Sequence, residues 1–85
     1  MEPSKVFFTD MRCPVGTSLL DKLDKLIRRA GMDEIDFDGR FTAIKIHFGE
    51  PGNLAFLRPN FAKTVADRVK VLGGRPFLTD CNTLY

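Results

Sequence analysis

The stretch Phe41-Thr42-Ala43-Ile44-Lys45-Ile46-His47-Phe48 decides the fold of this chain. Its β-branched and aromatic residues are typical of a β-strand. Because side chains alternate between the two faces of a strand, two sets of residues separate. One face would carry Thr42, Ile44, Ile46 and Phe48, and the other Phe41, Ala43, Lys45 and His47. The pattern predicts a strand over Phe41–Phe48.

A helix and a further strand are predicted after this stretch. Pro59 is well placed as the first residue of a helix that runs to about Leu72. Its apolar residues recur at helical spacing and predict a buried face of Phe61, Ala62, Val65, Val69 and Leu72. Gly73-Gly74 ends the helix, and the last strand runs from Arg75 to Asp80 or Cys81.

A strand and a helix are also predicted on the N-terminal side of Phe41. Lys5–Met11 contains a crowded β-favouring run, which is typical of a strand buried on both faces. A helix follows over about Ser18–Ala30, with Thr17 or Ser18 as its N-cap and Gly31 as its C-terminal stop. Asp33–Gly39 is interpreted either as a short strand or as a loop.

Strands that alternate with helices indicate an α/β fold with parallel strands. We therefore predict a β-α-β-α-β unit with a short, mostly parallel sheet. Residues 1–85 would form one α/β domain or the N-terminal fragment of a larger three-layer domain. The sequence stops after the last strand, without a helix to cover the sheet, so we expect truncation and, in isolation, a possible homodimer.

Composition narrows the class of protein. The chain has 85 residues, 44% hydrophobic and 28% charged, with a net charge of +2. Basic and acidic residues alternate along the helices, so we expect no nucleic-acid partner. No apolar run approaches the length of a membrane span, so we expect no membrane association. Met1-Glu2-Pro3 does not begin a signal peptide, and the expected location is the cytoplasm, with Cys13 and Cys81 reduced.

Polar residues follow each predicted strand. In open parallel sheets, ligands bind beyond the carboxyl ends of the strands. That rule selects Asp10–Cys13, His47–Asn53 and Asp80–Thr83. The candidate ligand-binding residues are His47, Glu50, Asn53, Arg58, Asp80 and Asn82.

Three interpretations of these segments remain open. Thiolate and imidazole ligands predict a zinc-like metal site at Cys13, His47 and Cys81, although isolated cysteines are more often small buried apolar residues. The Gly49–Asn53 loop, with Arg58 near a helix N-terminus, predicts an anion site, although two glycines also suit a simple tight turn. His47 could also be a general base, and whether the chain is an enzyme stays open.

Three stretches carry a family resemblance: Ala43–Asn53, Leu57-Arg58-Pro59 and Gly73–Tyr85. They resemble a domain-of-unknown-function family whose members are labelled uncharacterised iron–sulfur centre proteins. The resemblance implies that this region is the N-terminal part of a longer α/β protein. It also implies a downstream ferredoxin-like segment with 4Fe–4S clusters in that parent protein. This chain holds none of the cysteine motifs, so no cofactor is expected within it. The remaining alternative is a non-catalytic scaffold or interaction domain.

Overall fold

The computed structural model describes residues 2–81 of the chain. It divides into two compact units, Met1–Ile35 and Asp36–Tyr85. In the described part, no helix has both the length and the apolar character needed to cross a bilayer. The prediction of one α/β domain, or of the N-terminal fragment of a larger one, stays a prediction.

The first unit contains helix α1, Leu19–Arg29. Ser18 caps it, because its hydroxyl accepts a hydrogen bond from the Asp21 amide while the Asp21 carboxylate accepts one from the Ser18 amide. Arg28 and Arg29 lie in the last turn, where positive charge stabilises the helix dipole. Gly31 follows with a φ of 105° and leads into a 3₁₀ helix, Met32–Glu34. The predicted first helix is confirmed to within one residue at each end.

The predicted first strand is wrong. No strand occurs in residues 2–18, and the sheet does not include Lys5–Met11. The side chains of Val6, Phe7 and Phe8 are exposed rather than buried. The end of this segment is instead tied to α1, because the Lys22 ammonium donates to the Asp10 carboxylate at 2.7 Å and to the backbone carbonyls of Asp10 and Arg12. A strand-favouring composition needs a neighbouring strand to complete its hydrogen bonds.

The second unit is a parallel strand–helix–strand arrangement, which confirms the α/β class. Strand β1, Phe41–Lys45, and strand β2, Arg75–Thr79, form a two-stranded parallel sheet. Helix α2, Pro59–Val71, connects them and packs against both. The observed register pairs Phe41 with Arg75 and Lys45 with Thr79. β1 is shorter than predicted, and 33–39 is part 3₁₀ helix and part loop rather than strand.

The core of the second unit is small. Val69 is 1% exposed, and with Ala62 it forms the buried apolar set of the described residues. Gly74 lies so close to Val69 that an added Cβ would come within 2.5 Å of its Cγ1. Along β1, Phe41, Ala43 and Lys45 are exposed while Thr42 and Ile44 are half-buried. The predicted alternation is therefore correct, and α2 covers one face of the sheet.

Candidate functional site

The carboxyl ends of β1 and β2 meet at one edge of the sheet. The Ile46 amide donates to the Thr79 carbonyl at 2.9 Å, which continues the strand pairing one step beyond Lys45. His47 and Asp80 follow directly on the two strands. Because the strands are parallel, both side chains reach the same edge, as the rule for ligand sites in open sheets predicts.

The Asp80 carboxylate joins the two strand ends. Its Oδ1 accepts hydrogen bonds from the Cys81 amide at 2.8 Å and from the Lys45 ammonium at 3.5 Å. Its Oδ2 accepts one from the Phe48 amide at 3.3 Å and lies 3.5 Å from His47 Nδ1. The Asp80 side chain is 20% exposed, so these contacts replace much of its hydration. The Asp80 carboxylate therefore connects the carboxyl ends of β1 and β2.

This environment changes the acidity of Asp80. The Cys81 amide that donates to its carboxylate holds the pKa of Asp80 below its ordinary value. Partial burial acts in the opposite direction, and the Phe48 amide and the Lys45 charge add to the lowering. Asp80 is therefore ionised at neutral pH.

The hydrogen-bond network assigns the protonated nitrogen of His47. Asn53 Oδ1 accepts from the Ala55 amide at 3.0 Å, so the Asn53 group 3.4 Å from His47 Nε2 is the NH₂. An NH₂ group only donates, so Nε2 acts as an acceptor. In the neutral ring the proton then lies on Nδ1, the nitrogen that faces Asp80. His47 is thus oriented by a carboxylate on one side and offers a lone pair on the other.

A tight turn places Asn53 and Phe56 against His47. The Asn53 amide donates to the Glu50 carbonyl at 2.9 Å. Gly49 opens this turn with a φ of 95°, and a Cβ there would lie 2.6 Å from the Phe56 ring. The Phe56 ring meets His47 edge to face, with 6.0 Å between the centroids. The prediction of a glycine-dependent turn is confirmed.

The structure brings three of the six predicted ligand-binding residues into direct contact: His47, Asn53 and Asp80. Glu50 lies in the adjoining turn and is half-buried. Arg58 is exposed at the N-cap of α2 and takes no part in the contacts that join the three. Asn82 lies outside the described residues.

The predicted metal ligands are placed in different units. Cys13 is an exposed free cysteine in Met1–Ile35, whereas His47 and the exposed Cys81 belong to Asp36–Tyr85. Within residues 2–81, no group of three or more His, Cys, Asp or Glu side chains is arranged to hold a metal ion. The zinc-like site stays a prediction that metal analysis of the purified protein would test.

The cysteines do not fit an iron–sulfur cluster. A 4Fe–4S cluster is held by four thiolates, and the chain has two cysteines. Cys13 lies 4.0 Å from the Met11 carbonyl, which is a contact of a surface thiol. The residues of this chain therefore do not supply the ligands that such a cluster needs.

Two members of the site were not among the predicted ligand-binding residues. Lys45 is a charged residue within the predicted apolar strand, and its side chain is 65% exposed beside Asp80. Phe56 lies in an apolar stretch without periodicity, so nothing in the sequence indicated its contact with His47. Alternation along the predicted strand Phe41–Phe48 is the signal that assigned Lys45 and His47 to one face.

A comparison with protein families matches residues 42–84 to the Domain of unknown function (DUF362). The match covers β1 from its second residue, and all of α2 and β2. The chain belongs to this family. The DUF362 match includes His47, Asn53 and Asp80, so the site described above lies wholly within it. No curated protein and no solved structure gives a significant match.

Proposed function

We propose that this chain is a ligand-binding α/β domain whose site lies at the carboxyl ends of β1 and β2. The observation that carries the proposal is the orientation of His47. Asp80 faces its Nδ1, and its Nε2 accepts a hydrogen bond from a side chain on a surface turn. A ligand that displaces the side-chain NH₂ group of Asn53 would meet His47 Nε2, a hydrogen-bond acceptor held in a fixed orientation.

The charges of the site indicate the class of ligand. Nε2 accepts a proton donor, so the ligand needs a hydroxyl or N–H group. The Lys45 ammonium contacts the Asp80 carboxylate at 3.5 Å but is 65% exposed, so it can also pair with an anionic substituent of the ligand. We therefore propose a small anion that also carries a hydroxyl group. Hydrogen phosphate is the simplest molecule with both features.

Nuclear magnetic resonance tests the proposal, because His47 is the single histidine of the chain. Inorganic phosphate added to the full chain should shift the His47 ring signals saturably. Sulfate, which carries no proton at neutral pH, should shift them much less. Unchanged ring signals, or equal effects of the two anions, would contradict the proposal.

A pair of lysine variants provides the matched control. Lys45→Gln removes the cation beside Asp80, and we expect it to weaken phosphate binding about tenfold. Lys63→Gln removes an exposed lysine that pairs with Asp67 on α2, and binding should be unchanged. Equal phosphate affinity in the two variants would remove Lys45 from the site.

The resemblance to iron–sulfur centre proteins supports a wider context for this proposal. In a longer parent protein, the site would work beside a ferredoxin-like segment that carries its own 4Fe–4S clusters. A cytoplasmic location is part of the same proposal. The iron and sulfide content of the purified parent protein would test the presence of the clusters, and cell fractionation would test the location.

A second candidate function is an interaction domain without a ligand. It is favoured by the exposed face of the sheet, where Phe41 is 75% exposed and Phe77 is also exposed. Contiguous exposed apolar side chains are typical of interaction surfaces. The matching assembly is the homodimer predicted from the sequence, and light scattering of the full chain would measure its mass.

A further inference from the structure

The first unit contains a groove that is separate from the His47 site. It has a volume of about 500 Å³ and lies between α1 and the segment before it. Small-molecule sites typically occupy about 300–1,000 Å³. The groove is lined on the helix side by Lys22, Lys25 and Arg29, and on the other side by Phe8, Thr9 and Pro14.

Two of the three cations on the helix side are available to a ligand. Lys22 is engaged by the Asp10 carboxylate at 2.7 Å, and the acidic residue of the groove, Asp21, caps the Ser18 amide at 2.9 Å. Lys25 and Arg29 form no ion pair within residues 2–81 and are exposed. They lie four residues apart, so both side chains lie on one side of the helix.

The opposite wall offers an apolar ring. Phe8 is 83% exposed at the groove, although aromatic side chains usually bury most of their surface. The half-buried Thr9 and Thr17 add hydroxyl groups to the lining. A flat apolar group would pack on Phe8 while an anionic group pairs with the two cations.

We propose that this groove binds an organic phosphate with a flat ring, of the nucleoside monophosphate class. Its phosphate pairs with Lys25 and Arg29, since arginine and lysine are the usual phosphate partners in proteins. Its base stacks on Phe8, as bases do on aromatic side chains in single-stranded nucleic-acid sites. The site is independent of the proposed His47 function.

Calorimetric titration of the full chain with adenosine 5′-monophosphate tests the proposal. Lys25→Gln and Arg29→Gln should each weaken binding about tenfold, because each removes one charged contact. The control, Lys70→Gln, removes an exposed lysine from α2 and should leave the affinity unchanged. Both target side chains are exposed, and circular dichroism checks that the variants fold.

Phe8→Ala tests the contact with the base separately from the contacts with the phosphate. It should weaken binding of adenosine 5′-monophosphate at least several-fold and leave the affinity for inorganic phosphate unchanged. The proposal is overturned by a lack of saturable binding in the millimolar range. It is equally overturned if the Lys25 and Arg29 variants bind as the unaltered chain does, or if adenosine binds as well as its monophosphate.

Discussion

At the scale of the residue, Asp80 does the most to shape the candidate site. One carboxylate contacts two backbone amides, a lysine and a histidine from both strand ends. The same contacts keep it ionised, since the donated hydrogen bonds favour the charged form. Removing its charge would therefore affect both the stability of the edge and the orientation of His47.

Asp80→Asn tests this role through the pH dependence of unfolding. The pKa of Asp80 is lower in the folded chain than its ordinary value, so the carboxylate stabilises the fold above that value. The stabilisation is lost as the pH falls through the folded pKa. We expect a higher urea midpoint for the unaltered chain than for Asp80→Asn at pH 7, and a shrinking difference below about pH 4.

The control for this experiment is Asp67→Asn. Asp67 also has a lowered pKa, mainly through its hydrogen bond from Lys63, but it lies one turn from that lysine on the exposed side of α2. Its substitution should change the midpoint less than Asp80→Asn at neutral pH. The urea midpoints of the unaltered chain and of Asp80→Asn should converge between pH 7 and pH 3. A constant difference would contradict a stabilising role of the ionised Asp80 carboxylate.

Gly49 has a positive φ and lies directly against the Phe56 ring. Gly49→Ala would place a Cβ 2.6 Å from the Phe56 ring on a backbone with a φ of 95°. Gly52→Ala meets a similar φ of 85° but open space. We expect Gly52→Ala to cost about 1 kcal/mol from the backbone alone, and Gly49→Ala to cost at least about 1 kcal/mol more from overpacking. Urea unfolding measures both, and equal costs would show that Phe56 moves aside freely.

At the scale of the element, α2 owes its position to very few buried side chains. Val69 is its most buried residue and faces the turn at Gly74. The helix begins at Pro59, whose fixed φ suits a first helical position, and ends in Gly73-Gly74. Its start and end are thus set by local sequence, whereas its packing on the sheet depends on a small apolar contact.

Val69→Ala should therefore cost about 2 kcal/mol, from two lost methyl groups and the cavity they leave. Val71→Ala on the same helix is the matched control, since Val71 is 71% exposed and should cost less than about 0.5 kcal/mol. Urea unfolding of the two variants gives the comparison. Similar costs would mean that α2 is not held to the sheet by Val69.

At the scale of the whole molecule, the surface carries many exposed large apolar side chains. Large apolar side chains are exposed in both units, among them Val6, Phe8, Phe41, Leu54 and Phe77. Within residues 2–81, neither β1 nor β2 pairs with a third strand, so the outer backbone groups of both strands lack a strand partner. These features favour association with another protein surface.

We accordingly expect the chain to form a homodimer at micromolar concentration. Light scattering measures its mass, and Phe77→Ser should shift the protein towards the monomer because it removes a large apolar side chain from the exposed sheet face. Lys70→Ser on the exposed side of α2 is the control and should leave the mass unchanged. A monomer in the unaltered chain would contradict the dimer and weaken the interaction-domain candidate.

Much of the second unit and of α1 was predictable because the decisive signals are local. Ser18, Pro59 and the Gly73-Gly74 pair mark helix ends through backbone chemistry that acts within a few residues. The apolar periodicity of α2 and the alternation of β1 follow from the geometry of each element. The meeting of His47 and Asp80 then follows from the parallel connection of two strands.

The sequence by itself determined the element types of α1, β1, α2 and β2, the parallel direction of the two strands and the end of the sheet at which polar residues gather. Only the tertiary structure decided that Lys5–Met11 is not a strand, because a strand exists only with a partner to complete its hydrogen bonds. It also decided that Asn53 and Phe56 flank His47 and that Lys45 pairs with Asp80. Those contacts join residues that are distant along the chain or lie in a turn without periodicity, so no local pattern specifies them.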